Sequence, residues 1–280
     1  MKTDKAWKYI LDGLFKQFVE FFMPTLYDLI DFSQDLISLD NEFKELFPES
    51  DSEGKRVDKL VEVKLKNGEA KWVLLHIEIQ SYEDSKFSDR MYTYYSRIFD
   101  KYQKDIEAIV LYTYQSDRHK YSKYERKFIN TKITYEYQIY DLAKQNIKEL
   151  EKSNNPFSFV IQTLIKSFNY QESDERNFNF KLELIELLAQ SGYRKGEIEK
   201  VFKFINFVFE IKDKNLSRKF HKEVREMSTK TETKLEFTDY DLVVAKEEDK
   251  KIAKIMKSKN EPISKIIEYT GLTKEEIEKL

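Results

Sequence analysis

The 280-residue sequence has no cysteine and only three histidines, His76, His119 and His221. Disulfides, zinc–thiolate centres and cysteine nucleophiles are thereby excluded, and a multi-histidine metal site is not available. Any metal chemistry falls to oxygen ligands, which select a hard ion such as Mg2+ or Mn2+. Glycine (6) and proline (4) are scarce, so long disordered linkers are not expected. Neither sign of charge dominates: 49 basic and 51 acidic residues leave a formal net charge of −2. That balance argues against a surface coated in phosphate-binding cations, although it is compatible with a local basic groove. No run reaches the roughly 18 apolar residues of a membrane span, and Met1 to Lys8 has no apolar signal core. The chain reads as a soluble cytoplasmic protein without a membrane partner.

What the chain does have is aromatic: 21 Phe and 18 Tyr, within a 40% apolar fraction that is ample for a core. Apolar residues at helical spacing from Trp7 to Phe22 predict one helix ended by Pro24, and Thr25 to Phe32 predicts a second. The pattern loosens from Ser33 to Lys55. Val57 to Leu65 and Trp72 to Gln80 then read as two strands around Asn67-Gly68, a hairpin signal. Phe87 to Tyr102 is helical, Ile106 to Tyr112 is a short buried strand, and Lys132 to Ile139 alternates like another strand. Beyond Leu142 the periodicity is helical only. Thr273-x-x-Glu276 is a capping box near the end of the chain. The fold class is α/β (α+β), with strands confined to the first half and an all-helical C-terminal half. The expected divisions are 1–145 as the core, 146–228 as a helical region, and 229–280 as a linker with a short helical segment.

The second strand carries the most informative chemistry. Alternation puts His76, Glu78 and Gln80 on one face and Leu75, Ile77 and Ile79 on the other. A glutamate buried on so apolar a strand costs several kcal/mol unless a partner or cation compensates it. Asp58, on the preceding strand, meets Glu78 on one face only if the two strands pair with an even index sum. That register requires an odd loop or a bulge rather than a plain two-residue turn. The bland alternative is strand residues facing solvent at a sheet edge. His76 reads as structural rather than as a ligand.

Asp58, nineteen intervening residues and then Glu78-x-Gln80 resemble the PD-(D/E)xK nuclease superfamily, and within it the Rpn family of recombination-promoting nucleases, also classed with transposases. Further matches in order are Leu11-Asp12-Gly13-Leu14-Phe15-Lys16, Phe21-Phe22-Met23-Pro24, Leu39-Asp40-Asn41-Glu42-Phe43, Arg56-Val57-Asp58, Phe87 to Tyr95, and Thr270 to Ile277. The resemblance implies an αβββαβ core in which Asp58 and Glu78, with the Ile79 carbonyl, hold Mg2+ (or Mn2+), and Asp58, Glu78 and Gln80 are catalytic. Gln80 replaces the superfamily's lysine. It cannot act as a base but can position a water. Glu42, or Glu20, is the candidate additional acid.

Candidate DNA contacts are Arg90, which could hold the scissile phosphate or pair with a carboxylate, and Arg118, Lys120, Lys123, Arg126 and Lys127. The alternative for the latter group is a solvated loop. The implied function is a Mg2+-dependent DNA endonuclease of low sequence specificity, acting in recombination or transposition and working as a homodimer. The alternative is a catalytically silent nuclease-fold protein that binds DNA or regulates.

Overall fold

The computed structural model describes residues 2–47, 57–66, 72–116, 120–168, 173–230, 250, 252–259, 261–270 and 272–280. The Asn67-Gly68 turn and most of the linker expected near position 229 lie outside them. The chain divides into two units, Met1–Ile211 and Lys212–Leu280.

In the first unit the strands β1 (Ile37–Ser38), β2 (Val57–Lys64), β3 (Trp72–Gln80), β4 (Asp105–Tyr112) and β7 (Gln138–Asp141) form one sheet in the order β1-β2-β3-β4-β7. β2 runs antiparallel to both β1 and β3, whereas β4 runs parallel to β3, and β7 parallel to β4. A parallel neighbour requires a crossover, and α5 (Phe87–Tyr102) supplies it between β3 and β4. The fold is therefore mixed α/β. β3 lies at the centre of the sheet, so its residues are not at an edge.

Two helical layers cover the sheet. On one face α5 places Phe87, Met91, Tyr94 and Ile98 against Leu60, Leu74, Ala108, Val110 and Tyr112. The residues are spaced i, i+4, i+7 and i+11, which is the stripe a helix uses to bury one side. The short α4 (Asp40–Leu46) adds Phe43, which with Leu39 and Phe47 joins the same core. On the other side are α1 (Lys2–Gly13), α2 (Phe15–Phe22), α7 (Pro156–Ser167) and α9 (Lys195–Val208). Trp7 meets Phe204 edge-on at 5.6 Å, and Phe18 meets Phe157 at 5.3 Å. All four rings are fully buried. Because α7 and α9 pack on α1 and α2, the unit runs past the change in element type near position 145. α3 (Pro24–Leu29), α6 (Ile147–Leu150) and α8 (Asp174–Ala189) complete it.

Three local readings change. The expected Trp7–Phe22 helix is two helices, broken where Gly13, a poor helix former, precedes Leu14. The loose Ser33–Lys55 stretch contains β1 and α4. The expected Lys132–Ile139 strand is divided at Tyr137, which is buried in the core beneath α5. Residues before it form β6 (Thr131–Glu136), paired in a hairpin with β5 (Lys123–Phe128), and residues after it form β7.

The second unit contains α10 (Lys214–Lys230), a helical run at 252–258, α11 (Ile263–Thr270) and α12 (Lys274–Glu278). Ala253, Ile266, Leu272 and Ile277 make its small core. The capping box forms, with the Thr273 hydroxyl accepting from the Glu276 N–H and the Glu276 carboxylate accepting from the Thr273 N–H. No helix among the described residues is long and apolar enough to cross a membrane.

Candidate active site

The β2–β3 register decides whether the two acids of the hairpin can cooperate. Asp58 pairs directly with Glu78, Leu60 with His76, and Lys64 with Trp72. The even index sum holds, and an odd number of residues lies between Lys64 and Trp72. Directly opposed positions of an antiparallel pair belong to one face of the sheet, so positions 58 and 78 share the α5 face. The side chain of Asp58 lies outside the described residues.

On β3 the alternation holds. His76, Glu78 and Gln80 are buried toward α5 and α4, at 0%, 0% and 1% exposure. The solvent-facing alternative is thereby excluded for Glu78 and Gln80.

A fully buried carboxylate needs compensation, and Arg90 of α5 provides it. Its Nη2 lies 3.1 Å from Glu78 Oε1 and donates to Gln80 Oε1 at 2.9 Å, while Nη1 donates to Asp84. The guanidinium also lies over the Phe87 ring, 4.8 Å from its centroid. Burial works to lower the Arg90 pKa, but Glu78, Tyr94 and Asp84 outweigh it and hold the group above its ordinary value. Of the two sequence readings of Arg90, the ion pair is the one observed here. Gln80 is fixed from both ends, since its Nε2 donates to the Tyr82 carbonyl at 2.5 Å. This arrangement gives Gln80 a physical reason: a lysine there would set an ammonium against the Arg90 guanidinium in a desolvated pocket.

His76 packs against Phe43 and Tyr94 with ring centroids 5.4 and 5.5 Å away. Burial first, and then the Arg90 charge, push its pKa down to about 3. The ring is therefore neutral near pH 7, and neither nitrogen has a hydrogen-bond partner among the described residues. It forms part of the wall of the site.

The candidate additional acids lie elsewhere. Glu42 is half-buried on α4 and makes no ion pair or hydrogen bond among the described residues. Glu20 is exposed on α2 and accepts from Asn155 Nδ2 at 3.0 Å, at the mouth of a polar cleft with Lys16, Tyr193 and Arg194. Two other N-terminal acids, Asp12 and Asp40, do reach the hairpin, and Asp40 makes the more extensive contact. It accepts from the Leu60 N–H at 3.0 Å and pairs at 3.1 Å with Lys59, which also bonds Asp12 of α1 at 2.6 Å. Burial works to lower the Lys59 pKa, but the two aspartates overcome it and raise it. Part of the sequence signal was present: Asp12 and Asp40 lie in two of the stretches that carried the resemblance, and Lys59 directly follows a third.

Of the candidate DNA cations, Arg118 lies outside the described residues. Lys120 is buried, bonded to Asp141 at 2.5 Å and to the Tyr114 carbonyl at 3.0 Å. Its ammonium lies 4.7 Å from the Tyr114 ring centroid, so it is an internal strut rather than a surface cation. Lys123, Arg126 and Lys127 are exposed on the β5–β6 hairpin, not on a loop.

The donors gathered here suit a hard cation: a buried carboxylate, a neighbouring amide oxygen and an aspartate position directly across the ladder. Among the described residues, no group of three or more histidines and carboxylates could hold a metal ion. The fold and site thus define a mixed α/β protein with a buried carboxylate–amide–guanidinium cluster on its central strand. No protein-family model matches the chain, and no curated protein or solved structure matches it either.

Proposed function

We propose that the chain is a Mg2+- or Mn2+-dependent DNA endonuclease of low sequence specificity, of the Rpn type within the PD-(D/E)xK superfamily. The observation that carries this reading is the register of Asp58 against Glu78, two residues before Gln80. The order β1, β2, β3, α5 and β4, with α4 inserted between β1 and β2, supports the αβββαβ core.

Asp58, Glu78 and the Ile79 carbonyl would hold the cation. When bound, it lowers the pKa of a water and neutralises charge on the phosphate. Gln80, held by Arg90 and Tyr82, orients the water through its amide. Arg90 keeps its bond to Asp84 and turns its other amino group from Glu78 to a phosphate oxygen. Water adds to phosphorus and releases a proton to bulk solvent, the P–O bond to the leaving sugar breaks, and that leaving oxygen takes up a proton from solvent.

Supercoiled plasmid incubated with Mg2+ or Mn2+ tests this reading. Wild type should nick it, and Asp58→Asn or Glu78→Gln should abolish nicking while circular dichroism remains native. Unchanged cutting by both variants overturns the site.

A second reading, a silent nuclease-fold protein that binds DNA or regulates, is favoured by one observation. Arg90 already compensates Glu78 from within the chain. Wild-type protein that binds DNA yet never nicks it, across neutral and alkaline pH, would establish that reading.

A further inference from the structure

We propose that the β5–β6 hairpin is a duplex-DNA wedge, with Phe128 and Ile129 entering between base steps while Arg126, Lys127 and Lys132 hold the flanking phosphates. This rests on the DNA reading above but not on cleavage.

The hairpin is built in two halves. Its base is anchored on α5: Tyr124 stacks on Tyr92 at 4.5 Å with the rings 6° from parallel, and Tyr135 stacks on Tyr95 at 4.5 Å. Beyond those rings every residue from 125 to 134 is exposed. A two-stranded ribbon is marginal in water unless packed, so an outer half left bare on both faces is not explained by stability.

The tip contradicts what a solvent-exposed turn should contain. Phe128 pairs with Thr131, leaving Ile129 and Asn130 as a two-residue loop. Phe128 is 73% and Ile129 74% exposed, among the most exposed large apolar side chains of the described residues. Ile129 also has φ +47°, a conformation that turns reserve for Gly, Asn or Asp and that β-branched residues resist. Strain and apolar exposure at one residue both cost stability, and such strain collects where binding needs it.

Charge names the occupant. Lys127 and Lys132 are directly opposed across the ladder, a like-charge pair of which Lys132 is balanced by Glu125 at 3.0 Å, whereas Lys127 makes no ion pair among the described residues. With Lys123 and Arg126 they outnumber Glu125 and Glu136, so the ribbon is cationic on a chain whose net charge is −2. Six residue pairs span about 20 Å, and β-ribbons enter DNA grooves, the minor groove among them. Apolar wedges of Phe or Ile are a recognised way to part base steps. Two apolar side chains at the tip, next to Asn130 and Thr131 and with Ile133 further down the ribbon only 37% exposed, match one base step better than they match a lipid surface, where a broader apolar face is needed.

The test uses full-length protein in EDTA and a short duplex with 2-aminopurine at a central TA step. Wild type should bind and raise the fluorescence as the base unstacks. Phe128→Ser with Ile129→Gly should bind about ten-fold more weakly and give no rise. Thermal unfolding should be no earlier, since both sites are exposed and glycine accepts the positive φ. Lys127→Ala with Lys132→Ala should flatten the slope of log affinity against log salt by about 2.

The proposal is overturned if the tip variant binds and unstacks like wild type, or if wild type never unstacks the duplex. Tip-dependent capture on vesicles of equal phosphatidylcholine and phosphatidylserine, with duplex binding unaffected by the tip variant, also overturns it. Asp58→Asn separates the two claims. If it unstacks DNA normally while wild type does not cut, the wedge stands and the nuclease reading fails. If wild type cuts and the tip variant binds and cuts equally well, the wedge alone fails.

Discussion

Arg90→Ala is the perturbation with the largest calculable consequence. In the intact protein Glu78 is fully buried and Arg90 is 12% exposed at the side chain, so their 3.1 Å contact is shielded from solvent. Removing one member of a buried pair leaves an uncompensated charge and costs about 3–5 kcal/mol. In a unit of this size each kcal/mol moves the melting temperature by about 2–4 °C, so the variant should melt about 6–20 °C lower in EDTA. Mg2+ should then stabilise the variant more than wild type, because the guanidinium no longer competes for the carboxylate. At 100 times the dissociation constant the gain is about 2.7 kcal/mol. Calorimetry of both proteins, with and without Mg2+, reads all four values. A loss below about 1 kcal/mol would refute the claim that the pair is desolvated. Equal Mg2+ stabilisation of both proteins would refute the claim that arginine and cation share one place.

Three further outcomes follow from the same neighbourhood. His76 has a folded pKa of about 3 against an ordinary 6.5, so its contribution is complete above pH 6.5 and is lost as pH falls toward 3. Urea titrations across that window should show stability falling by at most about 1.4 kcal/mol per pH unit, and His76→Leu should remove this component of the slope. Gln80→Lys, which restores the residue of the wider superfamily, should lower stability by about 2 kcal/mol or more and fail to raise nicking, since its ammonium meets Arg90. Lys59→Met should cost about 1–2 kcal/mol by freeing Asp12 from β2 and leaving Asp40 held there only by the Leu60 N–H, and proteolysis of the β2 region should quicken. Unchanged melting would show that this link is dispensable.

Strand β2 and the helix α5 were legible from apolar residues recurring at a period of two or near 3.6, β3 from its run of β-forming residues, and β4 from the short apolar run Ile106 to Tyr112. The pairing of Asp58 with Glu78 could be posed as an arithmetic condition and then checked. β1 is too short, at two residues, to leave a period. α4 was missed although Leu39, Phe43 and Phe47 stand four apart, because turn-forming residues follow directly. β5 alternates between outward faces that are both wet, so hydrophobicity gives no contrast and only its pairing with β6 defines it. Lys120 was read as a DNA cation from its charged neighbours. What buries it is Asp141, twenty-one residues away, a relation that local composition does not encode.

α5 is the element through which these features become one argument. Its buried stripe fixes Phe87 and Met91 in the core, Arg90 turns from that stripe to Glu78, and Tyr92 and Tyr95 carry the base of the hairpin. A helix packed this tightly transmits position rather than absorbing it. DNA seated on the hairpin would therefore meet the Arg90 side of α5 at a fixed setting. The proposed exchange, in which Arg90 leaves Glu78 for a phosphate oxygen, needs only one side chain to move, with Asp84 as its pivot.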